Sequence, residues 1–115
     1  MIEVRAVYER RKRGGDDYFF YYEFEVNGHA NDGSTSAIKC CAGVTAILAG
    51  LMRLGNYPDT LELDRGHFKF VHHGNNRVDH NIQYGLNTAL CQLYEVSKIY
   101  PQFFVPFILD ERKEQ

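Results

Sequence analysis

The sequence predicts a two-layer α/β domain in which two helices pack on one mixed sheet. Apolar residues alternate with polar ones over five segments, as in strands, and recur every three or four positions over two others, as in helices. The predicted order is β-β-α-β-β-α-β. Because 115 residues suit one domain, we expect a single domain over residues 1–110 and a charged tail over 111–115.

The first two segments predict a β-hairpin. Apolar and charged residues alternate in "IEVRAVYE", and an aromatic-rich segment follows at residues 18–26. The "GGDD" between them predicts the turn. Since alternate residues of a strand point the same way, Tyr22, Phe24 and Val26 are expected to share one face.

A helix is predicted from about Ala37, after a polar loop that we expect to be a mobile gate over residues 31–37. Gly55 is the expected C-terminal cap. Small residues make this helix narrow, so it can lie close to a sheet or to another helix. The apolar residues at helical spacing are Val44, Ile47, Leu48, Leu51 and Leu54.

The rest of the chain predicts a second hairpin, a second helix and a last strand. Alternating apolar residues flank the turn "DRG" at 64–66. An amphipathic pattern from Ile82 to Ile99 predicts a long helix that ends before Pro101. Residues 103–109 alternate as the last strand, and Pro106 predicts that this strand is an edge or is bulged there.

Composition excludes several classes of function. The net charge is -2 and the pI is near 6.2, which gives no general electrostatic reason to bind nucleic acid or an anionic membrane. The basic run at residues 10–13 is flanked by acidic residues and is interpreted as a solvated hairpin tip. No stretch is expected to span a bilayer or to act as a signal peptide.

Three cysteines, two of them adjacent, make a disulfide framework improbable and favour a reducing compartment. Cys91 lies among apolar residues and is expected in the core. Phosphate-cradling and dinucleotide-binding motifs are absent from the sequence, so no cofactor is expected. The remaining histidines lack zinc-ligand spacing and are interpreted as surface loop residues, with no metal expected: His67, His72, His73 and His80.

A histidine and two cysteines flank the polar loop. His29 follows the second strand, and Cys40 and Cys41 lie near the predicted helix start. A thiolate beside an imidazole is a nucleophile with its own base. Free N–H groups at a helix start, with Lys39 nearby, would stabilise the thiolate, and the same N–H groups would receive an oxyanion. These residues therefore predict either a Cys–His catalytic pair or a core cysteine near a turn histidine.

The residues around this pair resemble the ribosomal-processing cysteine protease family (Prp). "GHA" at 28–30 and "CAGVTA" at 41–46 are similar to the family's Gly-His-Ala motif and to the Cys-Ala-small-Val-Ser/Thr-Ala run that opens its helix. "LCQLYEVSKIYPQFF" is similar to the family's late helix, which ends at Tyr-Pro before the last strand. The resemblance covers nearly the whole chain.

The resemblance implies that His29 and Cys41 are the catalytic residues and that Cys40, at a usually aliphatic position, is a packing residue or a bystander. The family often has an acidic residue three positions before the cysteine, where this chain has Ile38. The chain would therefore be a divergent or phage-associated member, with Asp32 as a candidate substitute for that acid.

The resemblance further implies a cytoplasmic, homodimeric cysteine endopeptidase. Its substrate would be a protein with an aromatic-rich N-terminal extension, either a large-subunit ribosomal protein or a related phage protein. Ile38 motivates an alternative, a catalytically idle ribosome- or capsid-assembly factor on the same fold. A second alternative is a nucleic-acid-binding module at the basic hairpin tip, which the acidic balance of the chain disfavours.

Overall fold

The computed structural model describes residues 1–54, 61–64, 66–72 and 80–113. The predicted order of strands and helices is confirmed, with a short 3-10 helix, Pro101–Phe103, before the last strand. The elements are β1 (Ile2–Arg13), β2 (Asp16–Gly28), α1 (Thr35–Met52), β3 (Leu61–Asp64), β4 (His67–Val71), α2 (His80–Ile99) and β5 (Ile108–Glu111).

The five strands form one mixed sheet in the order β3-β4-β2-β1-β5. β5 runs parallel to β1, and the other neighbours are antiparallel. β5 is an edge strand, as Pro106 predicted, but it begins at Ile108 and not at residue 103. Residues 101–103 form the 3-10 helix instead, since Pro101 fixes its own φ there and Pro106 has no N–H for a ladder.

The basic run at the end of β1 does not form one continuous cationic patch. Arg10 Nε lies 3.0 Å from a carboxylate oxygen of Glu111. The guanidinium of Arg11 lies 3.7 Å from the centre of the Phe20 ring and donates to Glu9 at 2.7 Å. These contacts hold two of the four cations on the sheet and leave Lys12 and Arg13 exposed at the hairpin tip.

The prediction that Tyr22 shares a face with Phe24 and Val26 is wrong. The β1–β2 register shifts between Val7 and Tyr8, which makes Tyr22 an extra residue in a β-bulge. Tyr21 therefore takes the core position, with its ring centre 5.8 Å from that of Phe24. Tyr22 points to the opposite face of the sheet, where its hydroxyl donates to Glu9 at 3.1 Å.

Gln83 on α2 completes the backbone hydrogen bonding beside this bulge. β4 pairs with β2 from Glu23 to Asn27, so it does not reach Tyr21. The Gln83 side chain is buried and accepts from the Tyr21 N–H at 2.6 Å, while its amide nitrogen donates to the Tyr21 carbonyl at 2.9 Å. One side chain thus replaces a missing strand partner and ties α2 to the sheet.

The first helix begins at Thr35, two residues earlier than predicted, because Ser34 caps it. The Ser34 hydroxyl accepts from the Ala37 N–H at 3.0 Å. Leu54 lies beyond the helix end and is exposed, and the expected cap Gly55 lies outside the described residues. The residues of α1 that pack in the core are Ala37, Cys40, Val44, Leu48 and Leu51.

The expectation that no segment could span a bilayer needs correction. By length and composition α1 could cross one, since it has 18 residues with a mean hydropathy of 1.6. The core helix of a folded domain has the same character, and α1 packs one face on the sheet.

Cys91 is exposed, contrary to its predicted place in the core. The core face of α2 is set by Ile82, Leu86, Ala89 and Leu93. Cys91 is two positions from both Ala89 and Leu93. Residues that are two positions apart in a helix point about 200° apart around its axis. It therefore lies off the core face of α2 although its neighbours in sequence are apolar.

The two Gln83 hydrogen bonds generate a stability prediction. Gln83→Leu keeps the volume but leaves a buried N–H and a buried carbonyl of Tyr21 unpaired, so the free energy of unfolding should fall by about 3 kcal/mol. Urea denaturation measures the loss. The control Gln102→Leu, at an exposed glutamine, should change stability by less than about 0.5 kcal/mol. Equal effects of the two substitutions would contradict the role given to Gln83.

Candidate active site

His29 and Cys41 line the same cavity, which has a volume of about 180 Å³. It lies where the end of β2, the middle of α1 and the β3–β4 hairpin meet. Most of its wall is apolar. The lining residues are Ile2, Val26, Gly28, His29, Cys41, Val44, Thr45, Leu48, Leu63, Asp64, Gly66 and His67.

His29 follows β2 directly, as the sequence predicted. Gly28 has a φ of +102°, a left-handed conformation that turns the chain out of the strand. The Gly28 N–H donates to the Gly66 carbonyl at 2.8 Å, and the amino group of Met1 donates to the His29 carbonyl at 3.0 Å. The backbone of His29 is therefore fixed on both sides while its side chain remains exposed.

Cys41 does not lie at the helix start, and this corrects the sequence-based argument for an oxyanion site there. Because α1 begins at Thr35, Cys41 is in its second turn, past the unpaired N–H groups of the first turn. Two of those groups already have partners: the Ala37 N–H donates to the Ser34 hydroxyl at 3.0 Å, and the Ser34 N–H donates to the Asp32 carboxylate at 2.9 Å.

The half-buried Cys41 thiol contacts the segment that carries His29. Its Sγ donates to the carbonyl of Ala30 at 3.4 Å. A carbonyl can accept this hydrogen bond, but unlike an imidazole it cannot act as a base toward the thiol.

Cys40 is a core residue, which is the first of the two roles expected for it. It is fully buried, and its burial, with a smaller contribution from Cys41, raises the pKa of its thiol. Neighbouring helical residues point about 100° apart, so packing Cys40 into the core directs Cys41 toward the cavity.

Asp32 serves the turn that leads into α1. Its carboxylate accepts from the Ser34 N–H at 2.9 Å, and hydrogen bonds from Ser34 lower the pKa of Asp32. Ile38 is 69% exposed, and Lys39 is exposed as well. Residues 35–37 belong to α1, so the loop expected over 31–37 ends at Ser34. Its mobility stays a prediction.

The β3–β4 hairpin is the part of the site that the sequence did not reveal. Asp64, Gly66 and His67 line the cavity beside His29. The interpretation of His67 as a surface loop residue is wrong, because it begins β4 and its Nδ1 is hydrogen-bonded to Asn27 Oδ1. The register Asn27↔His67 brings the hairpin to the end of β2. The sequence does show "GHF" at residues 66–68 after a predicted turn. Its position beside His29, however, follows only from the pairing of β4 with β2.

The other histidines also have partners within the fold. His72 is half-buried with its ring edge-to-face on Phe20 at 4.9 Å, and His80 begins α2 and stacks on Tyr84. The assignment to a surface loop is therefore wrong for His80, while His72 follows the end of β4 and is half-buried, and His73 lies outside the described residues. Within the described ranges, no group of three His, Cys, Asp or Glu side chains is arranged to hold a metal ion.

No protein-family model and no curated protein matches the sequence. Solved structures do match, and they define a fold class, that of the ribosomal processing protease Prp. Prp from S. aureus, solved with a covalently linked product peptide, matches with a TM-score of 0.64 and 24% identity over 97% of this chain and 100% of that chain. The same protease solved with a substrate peptide matches with a TM-score of 0.63.

SMU.848 from Streptococcus mutans matches with a TM-score of 0.70 and 19% identity over 97% of this chain and 96% of that chain. At such identities the likeness establishes a shared fold. The resemblance to Prp that the sequence predicted is therefore confirmed in the architecture of nearly the whole chain.

The different burial of the three cysteines generates a labelling prediction. In a Cys91→Ser background, iodoacetamide should modify Cys41 in its cavity, and buried Cys40 at least about tenfold more slowly. Peptide mass mapping after timed quenching measures both rates. Unfolding in urea should make the two rates similar, which serves as the control. Faster labelling of Cys40 in the folded protein would refute the assignment of Cys41 as the reactive thiol.

Proposed function

We propose that this protein is a cysteine endopeptidase in which His29 and Cys41 form the catalytic pair. The observation that carries the proposal is that both side chains line one cavity, with the Cys41 thiol hydrogen-bonded to the residue after His29 at 3.4 Å. The fold shared with Prp, a ribosomal processing protease solved with a substrate peptide, supports the same class of reaction.

In the proposed reaction, the Cys41 thiol turns from the Ala30 carbonyl to His29 and transfers its proton to the imidazole. The thiolate attacks the scissile carbonyl, and the imidazolium returns the proton to the leaving amine. Water then hydrolyses the thioester with His29 as base. The free N–H groups belong to the first turn of α1, whereas Cys41 lies in the second turn. We therefore do not propose that these groups stabilise the oxyanion.

The wall of the cavity suggests the class of substrate. Ile2, Val26, Val44, Leu48 and Leu63 surround a space suited to one large apolar side chain. We propose that this space receives an aromatic side chain next to the scissile bond. An aromatic-rich N-terminal extension of a large-subunit ribosomal protein, or of a related phage protein, would present one.

Ile38 favours a second candidate function, that of a catalytically idle assembly factor. An exposed isoleucine replaces the acidic residue that the resemblance leads one to expect, and the carboxylate of Asp32 is already bonded to Ser34. This candidate predicts the same fold and cavity without peptide cleavage, so variants at Cys41 and His29 distinguish the two functions.

We further propose that the protein is a cytoplasmic homodimer that associates through its helical layer. A groove between α1 and α2 has a volume of about 490 Å³ and is lined by uncharged residues, among them Ala46, Gly50 and Gly85. Small residues let two such surfaces approach closely, and a two-fold axis lets one patch pair with itself. All three cysteines are free, which suits a reducing compartment.

The catalytic proposal makes a prediction about cleavage. Cys41→Ala and His29→Ala should each lower kcat/KM on a peptide with an aromatic-rich segment by at least about 10³-fold, and the double variant should be no worse than either one. Chromatographic separation of the cleaved peptide measures the rate. Cys91→Ser should cleave like wild type, and all variants should keep the wild-type circular dichroism spectrum. Cleavage by Cys41→Ala at a rate near wild type would exclude the protease.

The dimer proposal makes a separate prediction. Ala46→Glu places a charge in this uncharged groove, and burying it unpaired at an interface would cost several kcal/mol. Sedimentation velocity should therefore show a dimer for wild type and a monomer for Ala46→Glu. Lys12→Glu, a charge change at the hairpin tip, should remain dimeric. A wild-type monomer at micromolar concentration would disprove the association.

A further inference from the structure

We propose that Gly66, in the turn between β3 and β4, positions the imidazole of His29; this inference rests on the proposed function of His29 as the base. The ring of His29 lies directly against the Cα of Gly66. A Cβ atom built on Gly66 would overlap Nε2, Cε1 and Cδ2 of the ring. The imidazole therefore occupies the space that the side chain of any other residue at position 66 would need.

The backbone on both sides of this contact is fixed. The Gly28 N–H donates to the Gly66 carbonyl at 2.8 Å, which holds the turn against the end of β2. The next residues along, His67 and Asn27, are paired in the strand register and joined through their side chains. The Asn27 amide in turn donates to Glu25 at 2.5 Å, which fixes its orientation. Gly66 therefore cannot easily retreat from the ring.

A ring pressed against fixed backbone loses much of its rotational freedom. His29 is otherwise an exposed side chain at a strand end, where several rotamers would be open to it. The carboxylate of Asp32 is bonded to Ser34, and position 38 is an isoleucine. In this chain the backbone at Gly66 thus contributes a restraint on the imidazole, as a steric wall on the side of the cavity.

The chain contains a matched control for this idea. Gly66 has a φ of +64° and Gly14 a φ of +60°, so alanine imposes the same backbone strain at either position. A Cβ on Gly14 would meet nothing within 4 Å. The two substitutions therefore differ in the contact with His29, which is present at Gly66 and missing at Gly14.

The experiment compares Gly66→Ala with Gly14→Ala by steady-state cleavage of the aromatic-rich peptide. Both variants should lose a similar few degrees of Tm, since the exposed ring of His29 can swing away without unfolding the turn. Gly66→Ala should lower kcat by about 10–100-fold with little change in KM, because displacing a catalytic group by about 1 Å has that effect. Gly14→Ala should keep the wild-type kcat. Equal kcat for the two variants, with wild type active, would overturn the inference and leave the protease standing.

A second readout does not depend on cleavage. The ring proton signals of His29 in NMR spectra, assigned with His29→Ala, should shift in Gly66→Ala and stay unchanged in Gly14→Ala. If wild type does not cleave, the protease proposal fails, and these signals still decide whether Gly66 sets the ring position. If Gly66→Ala does not fold, Gly66→Asn against Gly14→Asn repeats the test, because asparagine tolerates positive φ and still carries a Cβ. Unchanged His29 signals in a folded Gly66 variant would refute the contact.

Discussion

The structure depends on β2, because the backbone N–H and C=O groups along both edges of this strand need hydrogen-bond partners. It pairs with β1 along its length, but on the other edge β4 covers it from Glu23 to Asn27. Because β4 ends there, the Gln83 side chain supplies the hydrogen bonds to Tyr21. These two bonds attach α2 to the sheet. Unpaired backbone in a core costs more than most contacts contribute, and this requirement fixes where the second helix lies.

The same strand positions the candidate site at its end. The left-handed Gly28 turns the chain so that His29 leaves the sheet where the β3–β4 turn approaches. α1 returns over the sheet with Cys40 packed in the core, and helical geometry then directs Cys41 to the strand end. The residue that positions the candidate nucleophile is therefore a buried neighbour with no chemistry of its own.

Local patterns in the sequence predicted the order of elements and the place of His29 at the end of β2. They failed where a distant partner decides. The bulge that turns Tyr22 outward depends on pairing with β1, and the exposure of Cys91 depends on which face of α2 meets the sheet. The cap at Ser34 moved the helix start to Thr35 and removed the argument for an oxyanion site there. The contribution of Gly66 and His67 follows from strand register, which periodicity does not encode.

The arrangement of the thiol bears on how the proposed catalytic pair would work. Cys41 donates to the Ala30 carbonyl, while the imidazole of His29 lies against Gly66. A thiol is a weak hydrogen-bond donor, so leaving a carbonyl for an imidazole costs little, and the imidazole, unlike the carbonyl, can keep the proton. The rate of proton transfer then depends on where the His29 ring lies when the thiol turns toward it. A ring restrained by backbone contact takes the same position at every turnover. A side chain free in solvent does not.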